Sequence, residues 1–177
     1  MLTGITQLYR QEEENSLDTS LFDNEHRVYL SFMIETDAFG VHIDHILEVK
    51  SWSDVKIRSL VRAPEFLLGV FNLRGNIVPV IDLRKKWDTE RVEYTDKTAV
   101  VVLNIQKRIW AIVVDKINEV AGLKREDILP APMLSHRLDV RYFIGIANRH
   151  GYSLVLLDIE KVMTSDEMGL IDNLAKE

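Results

Sequence analysis

The sequence predicts a mainly β protein of two related lobes, closed by a C-terminal helix. Three observations carry this. Short runs rich in Val, Ile, Leu and aromatic residues alternate apolar with polar positions between turn residues, as strands and hairpins do. The chain matches itself at two fixed offsets. Its last stretch, from Thr164, pairs a helix-capping signal with helical periodicity.

Taken in order, residues 1–25 are polar and acidic and are expected to form a flexible tail. Leu2, Ile5 and Leu8 recur every three residues there and suit a short opening helix. Residues 29–34 and 39–43 read as a first hairpin around a turn at 35–38, and 47–52 as a further strand. Ala63-Pro64-Glu65-Phe66 reads as one helical turn with Pro64 at its start. Residues 69–73 and 77–81 make a second hairpin around Arg74-Gly75-Asn76, where Gly75 takes positive φ most easily. Residues 99–105 and 109–114 make a third, and 116–123 continue as strand. Pro130 and Pro132 open a loop running to about Asp139. Residues 142–147 and 153–157 form the fourth hairpin. In the closing helix Thr164 is the N-cap and Glu167 its capping-box partner. Met163 and Met168 stand at staple positions, and Leu170, Ile171 and Leu174 make one apolar stripe. The expected organisation is a tail of 1–25, a two-lobed domain of 26–164 and a helix of 165–177.

The self-match defines the lobes. At an offset of 76, residues 66–85 fall on 142–161: Gly69 meets Gly145, Asn72 meets Asn148, Gly75 meets Gly151, Asp82 meets Asp158 and Lys85 meets Lys161. At an offset of 71, residues 39–49 fall on 110–120, with Asp44 on Asp115, Ile46 on Ile117 and Glu48 on Glu119. Amphipathic hairpins share Gly in turns and Val in strands by chance. The repeated Asn, Asp and Glu are not demanded by β-propensity, and both matches run in the same order. Duplication is the better explanation. A unit of about 70 residues is too small to be comfortable alone, so two copies should pack on each other. They differ where Leu73-Arg74 is replaced by Arg149-His150.

Composition removes several function classes. The chain has 177 residues, 46% of them hydrophobic, so a real core is expected. A net charge of −6 and no long basic run argue against a nucleic-acid partner. With no cysteine there is no thiol nucleophile, disulfide or Cys-ligated zinc. No apolar stretch approaches the roughly 20 residues of a membrane span, and no signal peptide opens the chain. A cytoplasmic protein without direct membrane insertion is expected.

The chemistry-bearing residues mostly take structural readings. His42, Asp44, His45 and Glu48 form the best metal-like cluster, and a small metal-dependent hydrolase using His42, His45 and Glu48 is the competing class. On a strand, however, His45 points away from His42, and the second copy does not repeat the set. No nucleophile elbow and no Gly-rich phosphate loop occurs. Asp82, Asp158, Asp44 and Asp115 are expected to end strands and cap the next turn of chain. Arg84-Lys85-Lys86 beside Trp87 reads as a solvated basic face. No catalytic residue, cofactor or metal is nominated. Arg74, at a hairpin tip beside a Leu73 expected to be exposed, has the composition of a protein-contact spot.

Residues 69–84, Gly-Val-Phe-Asn-Leu-Arg-Gly-Asn-Ile-Val-Pro-Val-Ile-Asp-Leu-Arg, resemble the central signature of the CheW family of bacterial chemotaxis coupling proteins. The likeness extends through Phe39-Gly40-Val41, residues 46–49, the Pro turn at 63–66, Val113-Val114-Asp115, Pro130-Ala131-Pro132, and Ile159-Glu160-Lys161 with residues 165–168. His42 stands where the family usually has an acidic residue. The resemblance implies two five-stranded SH3-like barrels on a shared core. It implies a non-enzymatic adaptor joining methyl-accepting chemoreceptors to the regulatory domain of the histidine kinase CheA, recruited to receptor arrays at the inner membrane. The same fold could serve another receptor-kinase pathway such as surface motility. The implied receptor-binding residues are Ile46, Glu48, Asn72, Leu73 and Arg74; kinase contacts are not assigned to residues.

Overall fold

The computed structural model describes residues 26–130 and 140–176. The expected acidic tail with its opening helix, and most of the loop after Pro130, lie outside the described residues. The first hairpin joins β1 (His26–Ile34) to β2 (Asp37–His42), and a 3-10 turn, Ile43–His45, leads into β3 (Ile46–Ser51). β4 (Leu67–Leu73) and β5 (Asn76–Asp82) form the second hairpin, followed by a short helix, α1 (Leu83–Lys86). Then come β6 (Ala99–Ile105), β7 (Arg108–Val114), β8 (Lys116–Lys124), β9 (Phe143–Arg149), β10 (Tyr152–Leu157) and the C-terminal helix α2 (Ser165–Lys176). The expected hairpins are all present. The expected helical turn at 63–66 is not. Leu67 N donates to Pro64 O at 3.0 Å, a tight turn that delivers the chain straight into β4.

The strands form two five-stranded sheets, ordered β8-β1-β2-β10-β9 and β3-β6-β7-β5-β4. These orders are the same once each strand is replaced by its repeat equivalent, which supports the duplication. They also correct the simple picture of one lobe per repeat. Each sheet takes its first hairpin from one copy and its other three strands from the other. The seam is a short parallel pairing, β2 with β10 and β5 with β7. The exchange follows from the links: the three-residue turn Ile43–His45 and the single Asp115 between β7 and β8 carry the chain across to the opposite sheet.

The sheets curl in the SH3-like manner without closing into complete barrels. After β3 the chain returns so that Arg58 and Val70 exchange two backbone hydrogen bonds of 2.8 and 2.9 Å, and Leu129 with Ile146 repeats this in the other lobe. Gly69 and Gly145 lie beside these bridges. A Cβ at Gly69 would sit 2.1 Å from the Arg58 carbonyl oxygen, and one at Gly145 would sit 2.5 Å from that of Leu129. Close backbone approach therefore explains why both copies keep glycine there.

Strand parity sends alternate side chains into different layers. One face of each sheet joins a shared core that includes Phe32, Phe39, Val41, Ile46, Leu103, Ile112, Leu157 and Ile171. The opposite faces line two smaller clusters, one around Phe71, Val78, Val100 and Val113, the other around Tyr29, Ala121, Leu154 and Leu156. Helix α2 opens with the expected capping box: Glu167 N donates to Thr164 Oγ1 at 3.1 Å, and Thr164 N donates to a Glu167 carboxylate oxygen at 2.8 Å. Its apolar stripe is Met168, Ile171 and Leu174, whereas Leu170 is exposed. The expected stripe was shifted because position 170 lies about 100° around the helix from 171. Lys86 Nζ holds both Glu167 oxygens, and Arg108 pairs with Asp172, fixing α2 against the body.

Candidate protein-contact site

The tip of the β4–β5 hairpin is built by local chemistry. Arg74 and Gly75 take φ of 49° and 89°, the paired positive values of a type I′ turn that matches the twist of the flanking strands. Asn72 Oδ1 accepts a hydrogen bond from Gly75 N at 2.8 Å and braces the turn. Asn72 is exposed. Leu73 is not, contrary to expectation. It shares the inward parity of Phe71 and packs into the small cluster of that sheet.

Arg74 reaches back across the curl of the sheet. Its Nη2 donates to Glu48 Oε2 at 2.9 Å, tying the hairpin tip to edge strand β3. The Glu48 side chain is 18% exposed and that of Arg74 is 74% exposed, so the pair presents a held but open guanidinium. Lys50 Nζ stands 3.5 Å from the other Glu48 oxygen. Ile46, two residues before Glu48, is wholly buried in the shared core. Of the five residues implied by the resemblance, Glu48, Asn72 and Arg74 meet at the surface, Leu73 supports them from behind, and Ile46 faces the interior.

The second lobe keeps the pair but moves its donor. Glu119, the repeat partner of Glu48, accepts from Arg149 Nε at 2.8 Å and from Tyr152 Oη at 2.7 Å. Arg149 occupies the position of Leu73, not of Arg74. Its side chain is 25% exposed, so this guanidinium is largely consumed internally. Burial would raise the Glu119 pKa, but the bonds from Arg149 and Tyr152 outweigh it and hold the carboxyl below its ordinary range.

The metal-like residues do not converge. His42 packs edge-on against Tyr29, with ring centroids 5.4 Å apart, and its Nδ1 faces Asp44 N at 3.2 Å. Burial lowers the His42 pKa, with Asp44 opposing, which favours the neutral ring. His45 Nδ1 approaches Asn104 O at 3.4 Å, and Glu48 is held by Arg74. Among the described residues no group of three or more His, Asp and Glu could hold a metal ion. The hydrolase reading through His42, His45 and Glu48 has no geometric basis.

Asp82 and Asp158 do act as caps, accepting from Arg84 N at 3.0 Å and Glu160 N at 3.3 Å. Asp44 does not; its side chain is 77% exposed. Sequence reasoning missed Arg84. The basic run is no solvated face: Arg84 is fully buried and Lys86 nearly so. Arg84 binds Asp82 through Nε and Nη2, each at 2.9 Å, and through Nη1 reaches Glu93 O at 2.6 Å and Asp115 Oδ1 at 2.8 Å. Tyr94 Oη donates to Asp82 at 2.8 Å, with its ring under the guanidinium and against Trp52. Burial alone would lower the Arg84 pKa; bonds to Asp82 and Asp115 raise it instead. The signal, a Leu-Arg-Lys-Lys run starting straight after a buried strand, was present but ambiguous.

The fold that carries these residues has known relatives. A family model described as the CheW-like domain matches residues 28–167. The chain is 39% identical over 148 residues to a protein of Klebsiella aerogenes named chemotaxis protein CheW, covering 84% of this chain and 88% of that one. It is 29% identical over 171 residues to a protein of the same name from Helicobacter pylori, covering 94% and 99%. The crystal structure of the scaffolding protein TtCheW from Thermoanaerobacter tengcongensis superposes with a TM-score of 0.73 at 25% identity, covering 80% of this chain and 94% of that one. With the fold, the duplicated signature and the family match in agreement, the chain belongs to the CheW-like domain family.

Proposed function

We propose that this protein is a non-enzymatic adaptor that couples the cytoplasmic tips of chemoreceptors to the regulatory domain of the histidine kinase CheA, at receptor arrays on the inner membrane. The observation that carries the receptor side is the Arg74 guanidinium. It is held in place by Glu48 at 2.9 Å and still 74% exposed, so it is oriented before a partner arrives and free to donate when one does. Glu48 and Asn72 complete the contact surface, while Leu73 and Ile46 set its shape through packing. Among the described residues no helix is long and apolar enough to cross a membrane, which leaves the receptor as the membrane element. Such an adaptor acts by raising the kinase's effective concentration beside the receptor.

The test is Arg74→Glu, measured by titration calorimetry against a receptor signalling fragment, with a melting curve alongside. Loss of an oriented charge at a contact spot should weaken binding by about 2 kcal/mol, roughly thirtyfold in Kd, with the fold retained. Unchanged affinity in a folded variant would remove this surface from the receptor interface.

A further inference from the structure

The duplication makes the two chain crossings between sheets directly comparable, and they are built differently. At the β7–β8 crossing, Asp115 N donates to Met33 O at 3.0 Å, and its carboxylate accepts from Glu35 N at 2.6 Å and from Arg84 Nη1 at 2.8 Å. Met33 and Glu35 belong to the β1–β2 hairpin of one sheet. Arg84 belongs to α1 behind the other. Asp115 therefore joins both sheets through a guanidinium that is itself fully buried and locked to Asp82. At the β2–β3 crossing the equivalent residue is Asp44. Its amide donates to His42 Nδ1 at 3.2 Å, its carboxylate is 77% exposed and 3.5 Å from the same ring nitrogen, and the carbonyl of Asn104, the repeat equivalent of Met33, faces His45 Nδ1 at 3.4 Å. That crossing opens directly into β3, which carries Glu48.

We infer that Arg84, acting through Asp115, is a positioning residue that fastens the two sheets at one crossing, so that their relative motion pivots there and opens at the Asp44 crossing beside the Glu48–Arg74 surface. The contact surface belongs to the proposed adaptor reading, but the pivot is a property of the isolated chain. A short charge-assisted bond to a buried guanidinium resists opening, whereas a 3.4 Å His contact resists it little. One stiff crossing and one yielding crossing turn a symmetric duplication into a hinge.

The test uses the absence of native cysteine, which lets two labels be placed without background. One spin-label pair at exposed Asn76 and Asn148 spans the two sheets; a second at exposed Asn76 and Lys97 stays with one sheet. Distance distributions are recorded for the full chain with and without Asp115→Ala, which spares the buried Arg84–Asp82 pair. Asp44→Ala serves as the repeat-matched control. Asp115→Ala should raise the population of the displaced inter-sheet distance about tenfold, the scale of one lost charge-assisted hydrogen bond, and leave the same-sheet pair unchanged. Asp44→Ala should change neither pair. An unaltered inter-sheet distribution overturns the inference. So does broadening of both pairs, which would mark Asp115 as a general stability residue, or an equal response to Asp44→Ala. No partner enters the measurement, so its failure is distinct from failure of the adaptor reading.

Discussion

Replacing Arg84 by Met should be among the most damaging single changes to this protein's stability. Met fits the aliphatic path of the side chain and removes only the charge and its donors. Asp82 is then left wholly buried without its bidentate partner, and Glu93 O and Asp115 lose theirs. Breaking a buried pair by removing one partner costs about 3–5 kcal/mol, because the remaining charge is uncompensated. For a chain of this size, about 2–4 °C of Tm per kcal/mol gives a fall of roughly 6–20 °C. Lys is not an adequate substitute, since one ammonium cannot span acceptors arranged around a planar fork. The assay is urea unfolding by circular dichroism, with Asp82→Asn added to Arg84→Met as a second variant. If the cost is the orphaned carboxylate, neutralising it should recover about 1–2 kcal/mol. An Arg84→Met variant within about 1 kcal/mol of the parent, or a double variant weaker than the single one, would refute the reasoning.

The helix cap, the glycines and the ion pairs carry further expectations. Thr164→Ala removes half of the capping box and should cost about 1 kcal/mol, a Tm loss of a few degrees measurable by calorimetry. Gly69→Ala forces a Cβ into the Arg58 carbonyl and should destabilise several-fold more than Gly75→Ala, whose Cβ meets open space and strains only the turn; paired urea melts compare them. Glu119 and Glu167 both have depressed folded pKa values. Their contribution is therefore complete above the unfolded glutamate value of about 4.3 and is lost as pH falls below it through the folded values. Glu119→Gln should flatten the acid limb of stability against pH, and an unchanged limb would show that this pair does not contribute there.

The legible part of the sequence was local. Hairpins announced themselves because Arg74-Gly75 and His150-Gly151 place a glycine where a type I′ turn needs positive φ, between strands of alternating pattern. The capping box is a four-residue code, and Thr164 with Glu167 forms it in full. Errors arose where a distant partner decides. Arg84 reads like any surface cation until Asp115, 31 residues on, is brought against it. Leu73 looked like a tip residue, yet parity with Phe71 already placed it inward, so that error was avoidable. Leu170 was misassigned by one helical position, which only the docked orientation of α2 reveals.

The exchange of hairpins between repeats gives the duplication a mechanical sense. If each copy folded into its own lobe, the lobes would meet across an ordinary interface and could separate. Here every sheet contains strands of both copies, joined by the parallel seams β2·β10 and β5·β7. Parting the two copies would therefore break ladder hydrogen bonds as well as the shared core. Divergence could then proceed in details that leave the body intact. The arginine stands at 149 in the second copy as an internal tie and at 74 in the first as an open guanidinium, while both copies keep their glutamate. The crossings differ in the opposite sense: Asp115 is tied to Arg84 at 2.8 Å, whereas the Asp44 carboxylate is 77% exposed. The proposed contact surface and the looser crossing both adjoin β3, so a partner docking at Arg74 would press on the crossing inferred to yield.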